Sequence, residues 1–179
     1  MTYRNRLLVA TPAMGDANFA LGVILVLEHD VEGAFGIVLN RPSPMALPES
    51  LAGWAELASE PRVLFVGGPV QPDVVLLVGR SGDGEERDPA GPAPLPPGFT
   101  LADPTERPES TAIEGVRAFA GYAGWGAGQL DAEVQAGGWF VIDLEDADVL
   151  TPAPETLWQR VLRRQGGVFS TVTPDPTAN

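Results

Sequence analysis

No cysteine occurs in the 179 residues. Disulfides, thiolate metal sites and a cysteine nucleophile are therefore excluded together. Lysine is absent as well, so all 11 basic residues are arginine, set against 24 acidic ones, for a formal net charge of −13. A surface that acidic repels phosphate backbones, which argues against direct nucleic-acid binding. The arginine-for-lysine bias, with abundant alanine, proline and glycine, follows from GC-rich codons and needs no functional explanation. His29 is the only histidine, so a zinc site with two imidazoles cannot form, and nothing resembles H-E-x-x-H. No metal and no cofactor is expected. The apolar run at 21–27 is broken by Glu28 well before bilayer length, and no basic segment followed by an apolar core opens the chain. No membrane association is expected, and the expected compartment is the cytoplasm.

The composition that remains is that of an ordinary globular chain: 44% hydrophobic residues, and a length that suits one domain over 1–179 with a sizeable core. Residues 7–10 form a short apolar run stopped by Thr11-Pro12, which predicts a buried strand. Residues 11–18 are turn-rich. The β-branched runs at 21–27 and 35–39, separated by Asp30-Val31-Glu32-Gly33, predict an antiparallel hairpin that ends at Asn40-Arg41-Pro42. A short helix is predicted over 48–57, and strands over 63–66 and 74–78. Residues 81–111 are loaded with proline, glycine and acid and predict a long mobile loop within the domain, pinned at Phe99-Thr100-Leu101. A strand over 116–122 runs into a glycine turn, followed by a helix over 128–136 closed by Gly137-Gly138, a strand over 139–144 and a last helix over 154–165. Residues 173–179 are expected to fray. These elements predict one α+β domain with a mostly antiparallel sheet and flanking helices.

Three groups of residues invite chemistry. His29 lies between Glu28 and Asp30, and a carboxylate-flanked imidazole suits a general base. In a regular strand, however, the two carboxylates share one face and His29 takes the other, so a structural histidine is the competing reading. Asp16, Asn18, Asn40 and Arg41 sit at predicted strand ends. They form either a polar pocket in which Arg41 offers a fork to a carboxylate or phosphate, or self-contained turn bonds with Arg41 in a local ion pair. Four glycines within residues 121–128 precede a helix. The spacing is neither a P-loop nor a dinucleotide fingerprint, so tight packing of Tyr122 and Trp125 is preferred over anion binding, with the glycines supplying positive φ or close approach. Gly79-Arg80-Ser81-Gly82-Asp83 lacks the last glycine of a nucleophile elbow.

Gly121-Tyr122-Ala123-Gly124-Trp125-Gly126, followed by Gly128-Gln129-Leu130, resembles the signature of the YqgE/AlgH family. Leu7-Leu8-Val9-Ala10-Thr11-Pro12-Ala13-Met14 with Asp16, Asn18 and Phe19 agrees with it. So do Glu28-His29-Asp30, Asn40-Arg41-Pro42 and Gly67-Gly68-Pro69-Val70. The agreement is collinear over 6–143 and is poor over 80–114. The resemblance implies a small bacterial protein with a mixed sheet bent into a partial barrel, some of whose relatives carry a transcriptional-regulator label. It also implies a non-enzymatic regulatory or binding protein acting on a protein or small-molecule partner. The alternative is a hydrolase-like enzyme using His29 with Asp16, Asn18 or Arg41. Direct DNA recognition is the poorest reading, since no helix-turn-helix pattern accompanies the acidic charge.

Overall fold

In the computed structural model, residues 2–81, 95–106, 108–110, 112–175 and 177 are described. They form a single α+β domain built on one open sheet of nine strands. The strands are β1 (Arg6–Ala10), β2 (Val23–His29), β3 (Gly33–Val38), β4 (Pro42–Ala46), β5 (Val63–Val66), β6 (Val70–Ser81), β7 (Phe99–Ala102), β8 (Ile113–Gly126) and β9 (Trp139–Asp143). Along the main path the order is β4-β5-β8-β3-β2-β1-β9, with β6 joined to β8 and β7 to β6. Only the β5–β8 pairing is parallel among these strands. The expected hairpin is present, with Ile24 opposite Val38 and Leu25 opposite Ile37.

The inner strands are buried on both faces, so their sequence reads as unbroken apolar runs rather than as alternation. Leu7, Val9, Leu25 and Ile37 point to one face and meet Trp158, Val161 and Leu162 of α3 (Leu157–Gln165). Those α3 residues lie at the i, i+3, i+4 spacing of a single helix face. Leu8, Ala10, Ile24 and Val38 point to the other face. There they pack with Trp125, Trp139 and Leu130, the last from α1 (Gln129–Gln135). Burying each such side chain is worth about 1.5–3 kcal/mol. The Trp158 indole N–H donates to the Ala10 carbonyl at 2.8 Å and pins α3 to the end of β1.

Several elements differ from expectation. The stretch predicted as a glycine turn is the second half of β8, where Ala34 pairs with Trp125 and Phe35 with Gly124. Pairing along β3 continues the strand through its glycines, and only Ala127-Gly128 turns. Of these glycines, Gly121 has φ +70, and a Cβ there would meet the Gly68 carbonyl oxygen at 2.5 Å. The β5–β6 connection therefore crosses β8 at a place where only glycine fits. Gly128 has φ +72 and enters α1. Gly124 and Gly126 have neither constraint: a Cβ at either finds only ordinary contacts. β4 was not anticipated because Pro42 and Pro44 forbid an interior strand, but it occupies the end of the sheet order, where proline is tolerated. The helix at 48–57 is a 3-10 segment, Glu49–Leu57, burying Leu51 and Trp54. A short α2 (Asp146–Val149) was missed. Within the segment expected to be a mobile loop, residues 82–94, 107 and 111 lie outside the described residues. Phe99–Ala102 is strand β7, and Leu95 and Phe99 enter the main core. Within the expected frayed end, residues 176, 178 and 179 also lie outside the described residues.

Candidate functional site

Of the residues singled out from the sequence, Asp16, Asn18, Asn40 and Arg41 gather around one turn, and His29 stands apart from them. Asn40 and Arg41 lie at the start of β2, and His29 lies at its end, roughly 20 Å away at 3.3 Å per residue. Asn40 accepts the Val23 N–H at Oδ1 and donates from Nδ2 to the Leu21 carbonyl, both at 2.9 Å. The amide fastens the hairpin's open end. Arg41 Nη2 donates to the carbonyls of Ala20 at 2.9 Å and Ala17 at 3.4 Å, while its buried Nε has no partner among the described residues. Burial lowers the pKa of this guanidinium, an effect opposed by the charge of Asp16. Asp16 Oδ1 accepts the Asn18 N–H at 2.8 Å, and its carbonyl accepts from Phe19 and Ala20. Asn18 itself is exposed. These bonds fix the 16–22 turn.

His29 follows a bulge in β2 between Val26 and Glu28. Its ring stacks on Tyr3 with centroids 5.0 Å apart and planes 3° from parallel. Nδ1 accepts the Tyr3 backbone N–H at 3.0 Å, and Nε2 lies 3.5 Å from the Asp131 carboxylate. With a side chain 5% exposed and both nitrogens engaged, His29 ties the chain's first residues to α1. Asp30 accepts from Glu32 and Gly33 in its own turn. Burial, and then the Asp131 carboxylate, push the Tyr3 phenol above its usual range.

The turn fixed by Arg41 forms one wall of a cleft of about 320 Å³. Met14, Asp16 and Phe19 line that wall, and Trp125, Glu133 and Trp139 line the other. Phe19 stacks on Trp125 at 6.3 Å and meets Trp139 edge-on at 5.7 Å, while the two indoles are edge-to-face at 6.2 Å. Such arrangements suit the aromatic quadrupoles. The Glu133 carboxylate binds the group together. Its Oε2 accepts both indole N–H groups, from Trp125 and Trp139, at 2.9 Å each. Its Oε1 accepts the Gln129 amide at 2.9 Å, and Gln129 Oε1 in turn accepts the Gly126 N–H at 3.0 Å. Thr11 supplies the opposite anchors: its hydroxyl donates to the Gly137 carbonyl and its backbone N–H to the Gly138 carbonyl. This holds the start of the 11–22 segment against the turn before β9.

Of the tentative ligand residues, only Asp16 lines this cleft. Of the glycine-stretch residues Gly121, Tyr122, Gly124, Trp125, Gly126, Gly128 and Gln129, the cleft takes Gly124, Trp125 and Gln129. Trp125 is also core, being 6% exposed, and Tyr122 packs edge-on against Phe35. Sequence reasoning missed Glu133 and Trp139. The i, i+4 spacing of Gln129 and Glu133 on one helix was a legible signal; the meeting of Trp125 and Trp139 on one oxygen was not. Among the described residues no group of three metal-ligating side chains gathers, and no helix is long and apolar enough to cross a membrane.

Residues 7–170 match the family model described as AlgH-like. A UPF0301 protein of Streptomyces coelicolor is 47% identical, the alignment covering 97% of this chain and 94% of the relative. A UPF0301 protein of Mycobacteroides abscessus is 40% identical over 95% of this chain and 83% of the relative. Among solved structures, a Corynebacterium diphtheriae protein superposes with a TM-score of 0.84 at 30% identity, covering 95% of this chain and 91% of the other. The solution structure of the AlgH protein from Pseudomonas aeruginosa gives 0.68, also at 30% identity, covering 94% and 91%.

Proposed function

The chain belongs to the AlgH-like family, and on that premise we propose that it is a non-enzymatic cytoplasmic binding protein with a regulatory role. It acts through a ligand or partner seated in the cleft between the 13–19 turn and α1, not through direct contact with DNA. One observation carries this reading: Trp125 and Gln129, which carry the family resemblance, meet Glu133 and Trp139 around one open cleft. A carboxylate held by three neutral donors beside a mostly apolar cavity is a pre-oriented polar group, which is what small-ligand sites place among hydrophobic walls. The hydrolase-like alternative needs His29 beside Asp16, Asn18 or Arg41, but His29 stands at one end of β2 and the other three gather near its other end.

The test is a screen of a chemically mixed fragment library by NMR, reading the four indole N–H resonances together with the backbone amides. The reading expects hits to move Trp125 and Trp139 and to leave Trp54 and Trp158 in place. Hits that cluster instead at His29 or Arg41 would favour the enzyme alternative, and a library that moves no cleft resonance would refute the cleft.

A further inference from the structure

We propose that the cleft takes an organic cation, a protonated amine or guanidinium on a small apolar body. This rests on the cleft being the binding site. The lining supplies two carboxylates, Asp16 and Glu133, and no basic side chain. Among the described residues neither makes an ion pair. Arg41 feels the charge of Asp16, but its Nη2 donors go to the Ala17 and Ala20 carbonyls. All three partners of Glu133 are neutral, so no cationic side chain is paired with it. A carboxylate has about four acceptor positions. Two donors occupy Oε2 and one occupies Oε1, which leaves one position on Oε1.

The apolar part of the lining fits the same class of ligand. Phe19, part-exposed, offers ring surface that attracts cations as well as apolar groups, the two indoles behind it are 6% and 3% exposed, and Met14 adapts to irregular shapes. The net charge of −13 draws cations towards any cleft on this protein and repels anions. A carboxylate-bearing or phosphate-bearing ligand would bring its charge against Glu133 and Asp16 with no lining cation to receive it.

The probes are phenethylamine, its neutral counterpart 2-phenylethanol and the anionic 3-phenylpropionate. Each is titrated into the full-length protein while the Trp125 and Trp139 indole N–H resonances are followed, assigned with Trp125→Phe. Phenethylamine is expected to shift both saturably. The alcohol and the acid should bind weaker by about tenfold or more, as should phenethylamine to Glu133→Gln, this being the loss of one charge-assisted hydrogen bond. Asp16→Asn, at an exposed position, gives a second reading of the charge effect without touching the indole network, and a weakening of severalfold is expected. If the alcohol or the acid binds as tightly as the amine, the cation inference is overturned while the cleft stands. If no probe of any charge moves the two indoles, the cleft and the cation fall together.

Discussion

Trp125→Ala tests whether the family's aromatic residue is structural at the same time as it lines the cleft. The ring is 6% exposed, packs against both Phe19 and Trp139, and donates to Glu133 at 2.9 Å. Truncation to alanine removes that burial and leaves a cavity, a loss of about 3–5 kcal/mol. For a chain of this length each kcal/mol moves the melting midpoint by about 2–4 °C, so a drop of about 6–20 °C is expected. Trp125→Phe separates the two contributions. Phenylalanine keeps most of the buried ring and deletes the donor to a charged acceptor, worth about 1.5–3 kcal/mol. Glu133 retains Trp139 and Gln129 and borders an open cleft where water can replace the missing donor. The low end therefore applies, and the drop should be about 3–6 °C. Calorimetric melts of the parent and both variants decide the matter. An alanine variant that melts within about 2 °C of the parent would refute the packing described here. Equal losses for alanine and phenylalanine would assign the effect to the hydrogen bond and not to burial.

Further expectations concern the remaining charges. Arg164 makes a bidentate pair with the buried Asp148, at 2.7 and 2.8 Å, and also donates to the Asp143 carbonyl. Burial pulls its pKa down, but the hydrogen bond to Asp148 and the surrounding carboxylates outweigh this and leave it raised. Arg164→Ala should cost about 3–5 kcal/mol in urea unfolding, because it strands a buried carboxylate; a loss below about 1 kcal/mol would show that Asp148 is solvated in the variant. Arg117 is the opposite case. It is 2% exposed, lies over the Phe65 ring, donates once to the Glu60 carbonyl, and leaves Nε and Nη1 without partners. Burial pushes its pKa down to about 10. A base whose pKa is lowered on folding costs stability while it is charged, and that cost is relieved only as pH rises through the folded value. Arg117→Met, which keeps the volume and drops the charge, should therefore melt no lower than the parent from pH 6 to 9, and a large loss would mean that the guanidinium has a partner in solution. Anisotropy titration with duplex DNA at physiological salt should show no sequence-selective binding, given the net charge of −13; selective binding by the protein alone would overturn that expectation.

The chain's own pattern settled the strand runs at 7–10 and 35–39, the hairpin, α1, the last helix and the α+β class. Those elements are encoded locally, in apolar runs, turn residues and helix-end charges. The resemblance placed the chain in its family before any geometry was known. It also directed attention to Trp125 and Gln129, and Gln129 with Glu133 at i, i+4 could have been read as a pair. Only the tertiary structure decided the rest. Whether residues 121–126 turn or continue as strand depends on β3 lying alongside to receive their backbone hydrogen bonds, which no local propensity reports. β4 is a strand despite two prolines because of where it falls in the sheet order. His29, Asn40 and Arg41 look like chemistry in one dimension, and in three they bond Tyr3, Val23, Leu21, Ala17 and Ala20, since a polar side chain's partners depend on which distant backbone groups come within reach. Trp125, Glu133 and Trp139 come from a strand, a helix and the next strand, and they meet because α1 folds back over the sheet. A cleft made by that crossing has no signature in the order of residues.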